Sequence, residues 1–267
     1  MSGLATGYKK FRGSMRRYWI EKSQIFNIEV VFKNEQFHHI FDVCRQEVGH
    51  HFEVITEDSK AYLVEVTNIE KKQATAKIIE TREIAKLNRP HIHLALAISR
   101  FSVMDSIIER AVEMGVSSIT PFCSEFSFIR KASNLPAGKL ERWQKIVISA
   151  TQQCGRGELM QINSVMDWNS FEPEINPSPQ KWCLFAYEGE GISAVRPYLQ
   201  SKLEAVTNKP QDIWLIVGAE GGFSLAEVQK LRTLGLDPVT LGQQILRVET
   251  ACLTLVSVLK YEFDLLS

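Results

Sequence analysis

The sequence predicts two parts: a small β-rich N-terminal unit and a larger α/β domain built on a parallel sheet. Three observations carry this. Residues 15–88 hold short, partly alternating apolar runs separated by polar or Gly-containing turns, the spacing of a small barrel. From residue 89 the apolar runs become nearly continuous, as in strands buried on both faces. Those runs then alternate with segments of helical period, the pattern of a parallel α/β sheet.

In the first part, IFNIEVVF, HHFEVIT, AYLVEVTNI and ATAKIIE read as strands. HHIFDVCRQE at 38–47 fits a short helix ended by Gly49. Pro90 punctuates the chain, and HIHLALAIS opens the second part as a strand. Met104, Ile107, Ile108, Ala111 and Met114 then recur at helical spacing, closed by Gly115. SSITPF is a strand. LERWQKIVISATQQC is an amphipathic helix with Leu140, Trp143, Ile146, Val147 and Ala150 on one face. Strands follow at KWCLFAY and DIWLIVG, and EPEINPSPQ at 172–180, just before the first of them, is a Pro-rich surface loop. VGAEGGFSLAEVQKLRTLG at 217–235 is a strand end, a Gly-rich turn and a helix. Ser224 is its N-cap, Glu227 completes a capping box, and Phe223 with Val228 makes a hydrophobic staple. A last helix, apolar over more than one face, runs from Glu249 to about Asp264.

The chain has 267 residues and zero formal net charge. That excludes a bulk electrostatic binder of nucleic acid, yet residues 1–20 carry Lys9, Lys10, Arg12, Arg16 and Arg17 and no acid, enough to touch phosphate locally. No run approaches 18 apolar residues, and MSGLATGYKKFRGS has no apolar core of a signal peptide. Residues 1–14 read as a basic extension or leader before MRRYWI. Five scattered cysteines without a CxxC pair imply reduced thiols and neither a disulfide framework nor a zinc site. The pairs His38/His39, His50/His51 and His91/His93 lack a third ligand at a recognised spacing and read as solvated or hydrogen-bonded side chains. Cys154 reads as a small residue at a helix end.

No GxGxxG, Walker sequence or GxSxG occurs, which excludes a Rossmann oxidoreductase fingerprint and a nucleophile elbow. Two Gly-bearing loops, 217–224 and 241–251, each follow an apolar strand. They are expected side by side at the carboxyl edge of one sheet, where open α/β folds place ligands. The second loop, LGQQILRVETA, brings Arg247 and Glu249 to that edge. From spacing, the two are either a structural salt bridge or part of a reaction centre.

VGAEGGFSLAEV with LGQQILRVETA, together with MRRYWI, HHIFDVCRQEVGHHFEV, SIIERAVEMGVSSITPFCSEFS and LERWQKIVISATQQCGRGEL in the same order, resembles the RsmE family of SPOUT methyltransferases. Ala219, Gln243, Gln244 and Val248 stand where that family usually has Pro, Pro, Arg and Thr. The resemblance implies a PUA-like barrel over 15–88 and, over 89–267, an α/β methyltransferase domain with a C-terminal trefoil knot. It implies methylation of N3 of a uridine in 16S rRNA of the small ribosomal subunit, by a cytoplasmic homodimer touching no membrane. S-adenosylmethionine is the implied co-substrate, without metal, cradled by Val217, Gly218, Glu220, Gly221, Gly222, Leu241, Gly242, Ile245, Leu246 and Arg247. Glu249, Arg247 and Arg17 are the implied catalytic residues, and Arg16, Arg17, Arg45 and Arg156 the implied RNA contacts. A catalytically inactive ribosome-assembly factor of the same fold is the alternative.

Overall fold

The computed structural model describes residues 15–189 and 192–266, so the basic stretch before residue 15 lies outside it. The chain forms two compact units. The first holds residues up to Lys86 and, separately, Thr151–Leu159; the second holds Leu87–Ala150 and Met160 onward. The return of 151–159 to the first unit has no trace in the hydrophobic pattern.

The first unit is a six-stranded sheet of β1 (Arg17–Trp19), β2 (Ile25–Phe26), β3 (Glu29–Lys33), β4 (His51–Thr56), β5 (Lys60–Ile69) and β6 (Gln73–Glu83), in the order β1-β4-β5-β6-β3-β2. Pairing is antiparallel except for β1, which runs parallel to β4. The expected strand IFNIEVVF is two strands, split by a turn in which Asn27 takes φ 57°, a conformation that Asn tolerates better than most residues. Phe32, Phe52, Val54, Val64 and Tyr18 fill the core. Glu53 is buried in β4 only because it has partners: Arg17 Nε at 2.8 Å and Arg82 Nε at 2.9 Å.

The helix expected at 38–47 starts and stops earlier. An α-turn, α1 (Asn34–Phe37), continues as a π-helical turn over His38–Val43 and ends there. Phe37, Ile40 and Phe41 are its buried residues, and the Gly49 amide, bonded to the Val66 carbonyl at 2.8 Å, already commits the following chain to the sheet.

The second unit is an eight-stranded parallel sheet. Its elements are β7 (His91–Ala97), α2 (Phe101–Glu113), β8 (Ser118–Cys123), α3 (Lys139–Cys154), β9 (Gln161–Ile162), β10 (Met166–Asp167), α4 (Trp168–Phe171), β11 (Lys181–Ala186), β12 (Ser193–Ala194), α5 (Val195–Glu204), β13 (Asp212–Val217), α6 (Leu225–Thr233), β14 (Asp237–Thr240) and α7 (Val248–Glu262). Strand order is β10-β8-β7-β13-β11-β14-β12, with β9 also beside β8.

Successive residues of the central strands feed two different cores. Leu94, Leu96, Leu184 and Leu215 join one, with Trp143 and Leu255; Ala95, Ala97, Phe185 and Ile216 join the other, with Phe122, Phe171 and Phe223. Covering both faces is what makes these strands read as unbroken apolar runs. Helix α2 buries Met104, Ile107, Ile108, Ala111 and Val112, one stripe at helical period, while Met114 caps its end.

Candidate active site

The carboxyl ends of β7, β11 and β13 and the start of α7 surround a cavity of about 490 Å³, within the ordinary size of a small-molecule site. It lies at the edge where the parallel-sheet rule puts ligands. The two Gly loops do not follow neighbouring strands. β11 lies between β13 and β14, so Ala186 and Glu188 join the cavity wall from between the loops. Arg100 and Val103 join it from beyond β7. Periodicity carried no signal for these four.

The first loop is a tight turn. The Gly222 amide donates to the Ala219 carbonyl at 2.8 Å, and Gly222 takes φ +70°. A Cβ on Gly218 would lie 2.9 Å from the carbonyl carbon and oxygen of Gly222, so only glycine lets the two backbone segments approach this closely. Ser224 and Glu227 form the expected capping box at the N-terminus of α6. Glu227 is buried and also accepts a hydrogen bond from the Glu125 amide at 2.8 Å, which ties the segment after β8 to the same turn.

Val217, Gly218, Glu220, Gly222, Ile245, Leu246, Arg247 and Glu249 all line the cavity. Gly221 instead faces Phe126: a Cβ there would sit 2.9 Å from that ring's own Cβ. Leu241 packs against the hydrophobic core. Gly242, with φ +135°, turns the chain after β14 and is not in the lining.

The lining carries both charges. Glu220 accepts from the Arg100 amide at 3.2 Å and from Arg100 Nε at 3.1 Å. Burial pulls the Glu220 carboxyl up. Hydrogen bonds from its own amide, the Arg100 amide and the Arg100 guanidinium outweigh that and hold it below its ordinary pKa. Arg247 is exposed at the N-cap position of α7, and Glu249 stands half-buried in the first turn, where a helix N-terminus favours a negative charge. Among the described residues the two form no ion pair with each other or with any other group. The buried thiol of Cys252 is pushed up to about 12 by desolvation, with the Glu249 charge contributing.

Carboxylates Glu188, Glu220 and Glu249, cations Arg100 and Arg247, and a backbone cradle suit a small zwitterionic ligand that also carries a further positive charge. Among the described residues no group of three or more His, Cys, Asp or Glu could hold a metal ion, and no helix is long and apolar enough to cross a membrane.

The four arginines expected to meet RNA all belong to the first unit. Arg16 and Arg45 are exposed; Arg17 is half-buried on Glu53; Arg156 is half-buried, and desolvation lowers its pKa. His93, one of the histidines expected to be hydrogen-bonded, meets Ser118 Oγ at 2.7 Å and Asp212 Oδ1 at 3.0 Å.

Residues 86–260 match the model of an RNA methyltransferase domain, and residues 32–79 that of an RNA methyltransferase PUA domain. The chain is 30% identical over 254 residues to ribosomal RNA small subunit methyltransferase E of Buchnera aphidicola (Schizaphis graminum), covering 94% of this chain and 96% of that one. It is 33% identical over 234 residues to the protein of the same name from Aquifex aeolicus, covering 87% and 94%. Its fold is similar to a Neisseria gonorrhoeae ribosomal RNA small subunit methyltransferase E solved with S-adenosylmethionine: TM-score 0.77, 25% identity, 93% and 98% of the chains covered. A Legionella pneumophila protein solved with the same cofactor superposes at TM-score 0.81, with 27% identity and 93% and 98% coverage.

Proposed function

This chain belongs to the ribosomal RNA small subunit methyltransferase E family, and from that premise we propose that it methylates N3 of a uridine in 16S rRNA through Glu249 and Arg247. It is an S-adenosylmethionine-dependent rRNA methyltransferase. The observation that carries the residue assignment is the meeting of Arg247 and Glu249 in one cavity with the Gly218–Gly222 turn, where among the described residues they do not pair with each other.

Bound in the cradle, S-adenosylmethionine supplies an already activated methyl group. The protein must then align the attack and manage one proton. Uridine N3 carries that proton on its Watson–Crick edge, so the base has to be unpaired or flipped out. Glu249 is the acceptor that orients N3–H and takes the proton, while the N–C bond forms at the expense of the donor's S–CH3 bond, whose electron pair stays on the sulfur. Arg247 offsets the negative charge that develops on the uracil oxygens. Arg17, fixed by Glu53, holds RNA on the first unit together with Arg16, Arg45 and Arg156.

The finer architecture belongs to the same reading. The N-terminal sheet is a PUA-like barrel and the C-terminal loops form a trefoil knot. Support for the knot is that α7, the last element, packs on β13 and α2, two strands inward of β14, from which its chain leaves the sheet. The enzyme works as a cytoplasmic homodimer; a sedimentation mass of one chain at micromolar concentration overturns the dimer.

The test is single-turnover methylation of small-subunit particles. Glu249→Gln is expected to keep cofactor binding and lose about 100-fold or more in rate, the size of a general-base contribution. Its residual rate rises with pH, because hydroxide removes the proton that glutamine cannot. Turnover near wild type removes Glu249 from the mechanism.

A further inference from the structure

Two aromatic side chains beside the cavity have no role in the mechanism above. Residues 124–131 read SEFSFIRK and follow β8. Phe126 is 44% exposed and Phe128 is 54% exposed. Solitary exposed apolar residues need no explanation, but two exposed rings two residues apart on one rigid turn do.

The turn is rigid because its small residues are buried. Ser124 and Ser127 are 4% and 6% exposed. The Ser124 amide donates to Ser127 Oγ at 2.8 Å, and the Ser127 amide donates back to the Ser124 carbonyl at 3.2 Å. The Phe128 amide donates to the Ile98 carbonyl at 2.7 Å, and Glu227 holds the Glu125 amide. The backbone therefore presents both rings outward at little further cost in conformational entropy. Phe126 lies against Gly221 of the cofactor loop. Phe128 meets Phe101 edge to face, with centroids 5.3 Å apart and an interplanar angle of 78°. Exposed Arg130 and Lys131 follow directly, and Arg100, 70% exposed in its side chain, stands in the cavity wall; Glu125 is the one exposed acid in the turn.

We propose that Phe126 and Phe128 form a stacking platform for an unpaired nucleobase of the RNA substrate, next to the methyl-donor cavity. The proposal rests on the RNA-methylating function argued above. Aromatic faces beside cations that can meet phosphate are how single-stranded nucleic acid is held without reading its sequence. A base extruded for methylation leaves its own stack, and this platform replaces what it loses.

The probe is a short single-stranded uridine-rich RNA carrying 2-aminopurine, whose fluorescence falls when it stacks. Wild-type protein is expected to quench it. Phe128→Leu keeps an apolar contact with Phe101 and loses the ring. It is expected to weaken binding about 5- to 100-fold and abolish the quench, as loss of one base–aromatic stack does. Phe128→Trp restores both, and Phe126→Leu behaves as Phe128→Leu does. The salt dependence of binding stays unchanged in the phenylalanine variants and falls in Arg130→Ala, which separates stacking from phosphate contact. Affinity and quench within twofold of wild type in Phe126→Leu/Phe128→Leu overturn the platform. So does a fall in sedimentation mass in that double variant, which assigns the face to a second copy of the chain. Methylation of small-subunit particles is measured separately, so loss of the parent function is told apart from loss of the platform.

Discussion

Replacing Gly218 by alanine inserts one carbon where two stretches of backbone nearly touch. That carbon would lie 2.9 Å from both the carbonyl carbon and oxygen of Gly222, against an ordinary contact beginning near 3.4 Å. Neither neighbour is the end of a flexible side chain, so the turn itself has to open by about 0.5 Å, as far as a preorganised site tolerates. Overpacking of this kind costs about 1–3 kcal/mol. In a domain of this size that lowers the melting temperature by roughly 2–12 °C. The same opening moves the amides of Ala219 to Gly222 away from the ligand, and S-adenosylmethionine affinity is expected to fall about 10-fold or more. Titration calorimetry measures it. Gly235→Ala is the control: Gly235 has φ +79° and nothing within 4 Å of its Cβ position, so alanine there costs about 1–2 kcal/mol of backbone strain and leaves affinity alone. Affinity within twofold of wild type in Gly218→Ala refutes the cradle.

Glu53→Ala removes the buried carboxylate that Arg17 and Arg82 share. Breaking a buried pair costs about 3–5 kcal/mol, and because both guanidinium side chains are 28–30% exposed we expect about 2 kcal/mol. Thermal unfolding should show a drop of roughly 8–16 °C in the transition of the first unit; an unchanged transition shows that the arginines find other partners. His93 is held neutral: desolvation lowers its pKa below the ordinary 6.5, outweighing the opposing pull of Asp212. The unfolded chain then binds the extra proton first, so stability contributed by His93 is present above pH 6.5 and declines as pH falls below it. Melting temperature measured from pH 7.5 to 5.5 should fall less in His93→Gln than in wild type, and parallel profiles would exclude His93 as the cause.

What was legible in the sequence is what depends on near neighbours. The Ser224–Glu227 capping box, the stripe of α2 and the apolar runs of β7 and β13 each follow from residues within one or two turns of one another. β1 was not legible, because three residues, RYW, become a strand only by pairing with Glu53–Ile55 and through the Trp19 amide's bond to Gln152 at 2.8 Å. The same holds for four of the fifteen residues of the cavity wall. Arg247 and Glu249 could be found from their loop, but Arg100 and Glu188 arrive from two other strand ends, and only the strand order brings them there. The π-turn at His38–Val43 has the buried positions of a short helix and differs only in its hydrogen bonds, which composition does not encode.

The order of strands also sets a timetable. β7 ends at Ala97, while its partner β13 begins at Asp212, in register Asp212 with His91. A ribosome adding roughly 5–20 residues per second makes the second about 6–23 s after the first. Through that interval β7 can pair only with β8, and its other edge stands open in an apolar, two-faced strand, the kind of surface on which nascent chains aggregate. The N-terminal sheet has no such wait, since β4, β5 and β6 pair in succession. The β4–β6 ladder therefore forms first, the first unit is closed only when Thr151–Leu159 has been made, and the cavity walls are complete only once residue 251 has left the exit tunnel.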